Sequence, residues 1–232
     1  MPNHKNNSKK MKSKTLMDKN GMRLLFDIQE TLGNLKLSLH VIEEIVAKGG
    51  KILVIGTRQE YKPLVFDFSR KTNHPFFNGK WVNGLLTNFI TVSHRVANYE
   101  AKIDKSSLAD WERNKRVREF LDRYQGILEL KTLPDLIIFL NAEELKGPIE
   151  EACSVGILTM GLLNTGGDYN SLNYVIPAND NSVKTVGLFL MLAKMAIKKG
   201  TTRYKLVAKH NEQNNNFKKK TKNKNHFKTK KR

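Results

Sequence analysis

Short apolar runs alternate along this chain with stretches whose apolar residues recur every three or four positions. The first run, MRLLFDI (22–28), has the length of a buried strand. Over 29–48, Leu32, Leu35, Leu39, Ile42, Ile45 and Val46 predict a helix with one apolar face, and Gly49-Gly50 supplies its stop. KILVIGT (51–57) is β-branched and predicts a second strand. A helical segment over 59–71 follows, with Pro63 tolerable only in its first turn.

The Gly/Asn-rich passage FFNGKWVNGLLTN (76–88) then interrupts the alternation. Residues 89–103 and about 107–129 contain no Pro and only one Gly, Gly126, and predict two antiparallel helices that project from the domain with polar faces. The alternation resumes with LPDLIIFLN (133–141), a helix near 143–154, GILTMGLLN (156–164), a turn at Gly166-Gly167-Asp168 and YVIPAND (174–180). A last helix is expected to run to Lys199 and stop at Gly200. Strands separated by helices imply a doubly wound parallel α/β sheet, because each parallel connection needs a crossover. The expected organisation is one domain over 21–200, with a helical hairpin at about 88–130 inserted in it. A basic arm (1–20) and a basic tail (201–232) flank that domain. Ligands of such sheets gather at the strands' carboxyl ends, here near Thr57-Arg58, Asn141, Asn164-Thr165 and Pro177-Asn179.

Composition sharpens this picture by its unevenness. The chain has 232 residues, 41 Lys+Arg, 22 Asp+Glu and a net charge of +19. The two end segments hold 18 of the basic residues and 2 of the acidic ones, so 21–200 is close to neutral. A lone cysteine, Cys153, excludes an internal disulfide and, with no CxxC or Cys/His cluster, gives no zinc motif. It is expected to be a small buried residue. The longest apolar stretch, GLFLMLAKMAI (187–197), is broken by Lys194 and falls short of the roughly 18 residues of a membrane span. Lys exceeds Arg by 31 to 10 and Asn is frequent, a bias expected of an A+T-rich organelle genome.

Enzymatic motifs are missing. The only glycine directly after the 51–57 strand is Gly56, whereas dinucleotide and phosphate loops need several there, and there is no GxxxxGK[ST]. No GxSxG or HExxH occurs, and the six histidines are scattered. His40 and His74 are expected to be structural, and Glu143-Glu144 and Glu150-Glu151 to be solvated faces. No catalytic residue, cofactor or metal ligand is assigned.

Polyanion binding is better supported. From 217 to 232, 9 of 16 residues are Lys or Arg and none is acidic. Lys218, Lys219, Lys220, Lys222, Lys224, Lys228, Lys230, Lys231 and Arg232 form a run without a core of its own, suited to salt-sensitive RNA or DNA contact. The loop at 80–88 joins Lys80, Trp81, a permissive Gly84, Thr87 and Asn88 just before a helix whose amides and dipole would suit a phosphate. Thr91, His94 and Arg95 extend that polar surface. The same loop is also consistent with Trp81 and Leu85-Leu86 as core and Thr87 as a mere cap.

NGMRLLFDIQETLGNL, AKGGKILVIGTRQE, NGKWVNGLLTNFITVSHRV, LPDLIIFLN, EACSVGI, NTGGD and YVIPANDNSVKTVGLFL together resemble the universal second protein of the small ribosomal subunit, over about 20–200. The resemblance implies a flavodoxin-like sheet with a protruding helical hairpin. It also implies a structural protein, not an enzyme, that binds small-subunit ribosomal RNA and neighbouring ribosomal proteins, with no membrane or small-molecule substrate. Lys80, Trp81, Gly84, Thr87 and Asn88 match the family's signature loop. Lys80 stands for the usual Arg and Asn83 for a usual Gly, which changes the donor geometry. The family's Gly-His-containing amino-terminal segment has no counterpart, and the hairpin is shorter than in bacterial members. These features, with the Lys/Asn bias, point to the mitochondrial matrix rather than a plastid. The rival classes are a nucleotide- or sugar-phosphate-using enzyme on the same sheet, and a free nucleic-acid-binding regulator.

Overall fold

The computed structural model describes residues 15–17, 24–103, 124–127, 130–164 and 172–229. Two short strands, β1 (Thr15–Met17) and β2 (Leu24–Phe26), pair antiparallel. Helix α1 (Ile28–Ala47) follows, then β3 (Ile52–Ile55), α2 (Lys62–Thr72), β4 (Phe76–Phe77) and α3 (Phe89–Ile103). After β5 (Leu136–Phe139) come α4 (Lys146–Val155), β6 (Leu158–Leu163), β7 (Tyr174–Pro177) and α5 (Val183–Thr229). The five strands β3 to β7 form one all-parallel sheet in the order β4-β3-β5-β6-β7. That is the flavodoxin-like order, with the direction of winding reversing between β3 and β5.

Alternation along each strand divides the core in two. Ile52, Val54, Leu136, Ile138, Met160, Leu162 and Ile176 face α1, α2 and α5. Leu53, Ile55, Ile137, Phe139, Leu163 and Val175 face α4, the 81–89 segment and the root of α3.

Four expectations change. The run at 22–28 is not a strand of the parallel sheet: β2 pairs with β1, inside the expected arm, and Asp27 ends it by accepting the backbone N–H of Gln29 at 2.9 Å and of Glu30 at 3.4 Å, which starts α1. Leu32 is 48% exposed, because the buried stripe of α1 runs through Asn34, Ser38, Ile42 and Val46. Phe76-Phe77, inside the Gly/Asn-rich passage, is an edge strand. Helix α5 does not stop at Gly200. A Cβ there would lie 2.6 Å from the Glu43 carbonyl oxygen and 2.9 Å from the Val46 Cβ, so Gly200 serves close packing on α1. One turn on, Tyr204 lies against Gly49 (φ +82°) and Arg203 pairs with Glu43 and Glu44, carrying the helix past the domain. Of the expected hairpin, α3 is described; the returning segment falls mostly outside the described residues, and within its described part Gln125–Ile127 is a 3₁₀ turn. The Gly166-Gly167-Asp168 turn also lies outside them.

His74, 6% exposed, accepts the Ile52 N–H on Nδ1 at 3.2 Å and so pins the start of β3. Burial, helped by the Lys51 charge, lowers its pKa from 6.5 to about 4. The fold keeps this imidazole neutral while the unfolded chain takes up a proton near 6.5, so its contribution is full above pH 6.5 and falls as pH drops toward 4. The expected loss is about 2 kcal/mol by pH 5. Urea denaturation across pH 7 to 4 should show this slope in the wild type and a flatter one in His74→Asn, which keeps an acceptor without titrating; equal slopes would refute the assignment.

Candidate nucleic-acid interface

The loop from Lys80 to Asn88 owes its shape to one carboxylate on the helix beside it. Leu85 and Leu86 are buried under the sheet and anchor the loop from below, while Trp81 sits edge-on to Phe77 with ring centroids 5.2 Å apart. Glu151 of α4 accepts the Trp81 indole Nε1–H at 3.0 Å, the Leu86 N–H at 2.7 Å, the Thr87 N–H at 3.0 Å and the Thr87 hydroxyl at 3.2 Å. Burial raises the pKa of Glu151, but the donors from Thr87, Leu86 and Trp81 outweigh it and hold the carboxyl below its ordinary range. The pair Glu150-Glu151 is thus not one solvated face. Glu150 is exposed, whereas Glu151 lies three residues after buried Pro148 and four before half-buried Val155, on the inward stripe. That spacing is the signal by which the sequence could have revealed it.

This arrangement alters what the loop offers. Just ahead of α3, the Leu86 and Thr87 amides donate to Glu151, and the Asn88 N–H donates to the Gly84 carbonyl at 2.9 Å. Trp81 is half-buried with its N–H engaged, so it shapes the loop from inside. The surface presented outward is made of side chains. Lys80, Asn88, Thr91, His94 and Arg95 are all exposed. On α3, Phe89, Val92 and Val96 turn to the core, which leaves Asn88, Thr91, His94 and Arg95 exposed along its outward side. Asn88 Oδ1 accepts the Thr91 hydroxyl at 3.0 Å and orders the first turn. Cations, hydroxyls and amides without a carboxylate among them suit phosphate and sugar contact.

The helix carries the other predicted cations. Lys218, Lys219, Lys220, Lys222, Lys224 and Lys228 lie along α5 rather than in a separate tail; Lys230, Lys231 and Arg232 are outside the described residues.

The strand ends nearest the winding reversal are tied together by the chain's own side chains. At the winding reversal, Asn141 Nδ2 donates to the Thr57 hydroxyl at 3.0 Å and to Glu144 at 2.8 Å. All three guanidinium nitrogens of Arg58 donate internally: Nε and Nη2 to Glu144, and Nη1 to the Tyr61 hydroxyl, the Asp180 carbonyl and Asn181 Oδ1. The Tyr61 hydroxyl also donates to the Asp180 carbonyl. The Arg58 hydrogen bond holds the Glu144 carboxyl below its usual range, and burial raises that of Asp180. Glu144, though still exposed as expected, therefore also ties β3 to the segment after β5. Cys153 is exposed, not buried, because it follows Ala152 and rotates off the apolar side of α4. His40 is exposed on α1. Among the described residues, no three His, Cys, Asp or Glu side chains are grouped to hold a metal, and no helix is long and apolar enough to cross a membrane.

A family model described as ribosomal protein S2 matches residues 3–200, reaching into the segment that contains β1. The chain is 30% identical to the small ribosomal subunit protein uS2 of Chlamydia muridarum, over 81% of this chain and 69% of that protein. It is 30% identical to the protein of the same name from Thermus thermophilus, over 76% and 72%. For that of Coprothermobacter proteolyticus the identity is 26%, over 82% and 74%.

Proposed function

This chain belongs to the ribosomal protein S2 family, and we propose that it is a structural, non-catalytic constituent of the small ribosomal subunit that holds ribosomal RNA through Lys80, Asn88, Thr91, His94 and Arg95. Trp81 and Thr87 keep that surface in shape, and the basic length of α5 adds sequence-indifferent phosphate contacts. The observation that carries the reading is the exposed side-chain surface of Asn88, Thr91, His94 and Arg95 beside Lys80, without an acid among them and fixed to the domain by Glu151. The Arg58 network occupying the winding reversal also favours a non-catalytic role, since all three guanidinium nitrogens are engaged by Glu144, Tyr61, Asp180 and Asn181 of the chain itself. The compartment proposed is the mitochondrion, on the 31-to-10 excess of Lys over Arg, the frequent Asn and the shorter hairpin.

Two measurements test this. Tagged full-length chain should cosediment with small subunits in a gradient of mitochondrial extract; migration at the top, apart from subunits, would refute it. The Lys80→Glu/Arg95→Glu double variant should bind small-subunit RNA about tenfold or more weakly at physiological salt, with a shallower salt dependence. Both positions are exposed, so its urea midpoint should stay near wild type. Unchanged RNA affinity would place the contact elsewhere.

A further inference from the structure

We infer that the outward face of α5 between Lys184 and Lys199 is a docking surface for an acidic amphipathic helix of a neighbouring protein; this deepens the reading above, on which the source of the partner rests. Leu188, Met191 and Met195 are 55%, 48% and 56% exposed, on a helix whose other side, from Val186 and Phe189 to Ala196 and Ile197, is buried. Their spacing of three and four residues puts them in one stripe about 10 Å long. It lies on the side of the sheet opposite α3. Apolar residues at that spacing are what one helix presents to another, and the unbranched methionines can adapt to a partner's ridges.

Charge identifies the partner. From 183 to 210, α5 holds seven Lys or Arg and no acid. The carboxylates of the flanking helices are already paired: Asp67 of α2 with Lys71 at 2.8 Å and Lys194 at 3.1 Å, Glu43 and Glu44 of α1 with Arg203. Lys184, Lys198 and Lys199 are exposed and have no carboxylate partner among the described residues. They bracket the stripe, one turn before Leu188 and one turn after Met195. A helix with an apolar stripe flanked by Asp or Glu complements both features. RNA would answer the lysines but leave three apolar side chains uncovered, and a second copy of this chain would set lysines against lysines.

The test is site-specific photocrosslinking in assembled small subunits, with Met191→p-benzoylphenylalanine in the full chain and the same crosslinker at Arg95 in a parallel sample. At 191 the expected adduct is a protein segment that is acidic and apolar every three or four residues. Lys198→Glu/Lys199→Glu should cut its yield about tenfold or more and leave the Arg95 adduct unchanged. An adduct at 191 with RNA, with a second copy, or with a segment lacking that pattern overturns the inference. So does no adduct at 191 in a preparation whose Arg95 sample crosslinks to RNA. A chain that enters subunits but gives no RNA adduct at 95 counts against the RNA surface and not against the docking face; a chain that never enters subunits defeats the functional reading and this inference with it.

Discussion

Glu151→Ala is expected to lower unfolding stability by about 4 kcal/mol, because hydrogen bonds to a charged acceptor contribute about 1.5–3 kcal/mol each and this carboxylate accepts four. The sum is not the full fourfold figure, since Thr87 is exposed and water can take over its donors. Leu86 is buried and its amide has no such recourse. Glu151→Gln keeps an oxygen acceptor and loses the charge, so it should cost roughly half as much. The two substitutions should also weaken binding to small-subunit RNA in the same order, by loosening the loop that presents Lys80 and Asn88. That separates them from Lys80→Glu/Arg95→Glu, which should weaken RNA binding without touching stability. Acid behaves accordingly: with the Glu151 carboxyl held below its ordinary range, its contribution is constant above that range and is lost as pH falls through the lowered value. The His74 slope, at higher pH, should survive in both Glu151 variants. Urea denaturation at pH 7 and RNA titrations decide the matter; a Glu151→Ala protein as stable as wild type would remove the carboxylate from its assigned role.

The parts of this fold that were legible in the sequence are those written in periodicity. β3, β5, β6 and β7 are continuous apolar runs because strands covered on both faces carry no polar alternation, and α1, α2 and α4 carry the three-to-four step of a half-buried helix. What escaped depends on contacts between residues far apart in the chain. Phe76-Phe77 is too short to show a period and becomes a strand only because β3 offers its edge. Glu151 and Glu144 read as surface acids until the Trp81 loop, 65 to 70 residues earlier, and Arg58, 86 residues earlier, are folded against them. The face of α3 was visible as Thr91, His94 and Arg95 in register, but the engagement of the Leu86 and Thr87 amides was not, since no local pattern announces an acceptor on another helix.

Gly200 shows how the same residue type carries opposite meanings on one helix, and the contrast is measurable. In an exposed helix interior, Gly→Ala stabilises by about 1 kcal/mol through backbone entropy. Gly187, half-buried in the same helix, has room for it: the nearest atoms to an added Cβ are the Leu64 methyls at 3.9 Å, ordinary contact, so Gly187→Ala should raise stability by about 0.5–1 kcal/mol. At Gly200 the added methyl meets backbone, the Glu43 carbonyl oxygen at 2.6 Å and the Ala47 nitrogen at 3.2 Å, besides the Val46 Cβ at 2.9 Å. No rotamer relieves a contact between backbone and Cβ, so α5 must move off α1. That movement would strain the seam of Ile42, Val46, Ala193, Ala196 and Ile197 and the Arg203 pairs beyond it. Gly200→Ala is therefore expected to cost about 2 kcal/mol despite its better helix propensity, and Gly200→Leu more than about 4 kcal/mol. Helix content by circular dichroism should stay near wild type in Gly200→Ala at low temperature, which assigns the loss to packing rather than to propensity. If Gly200→Ala stabilised the protein as Gly187→Ala does, the residue would be an incidental glycine after all. The continuation of α5 beyond the domain, with Lys209 and the lysines from 218 to 228 upon it, would then need a different anchor.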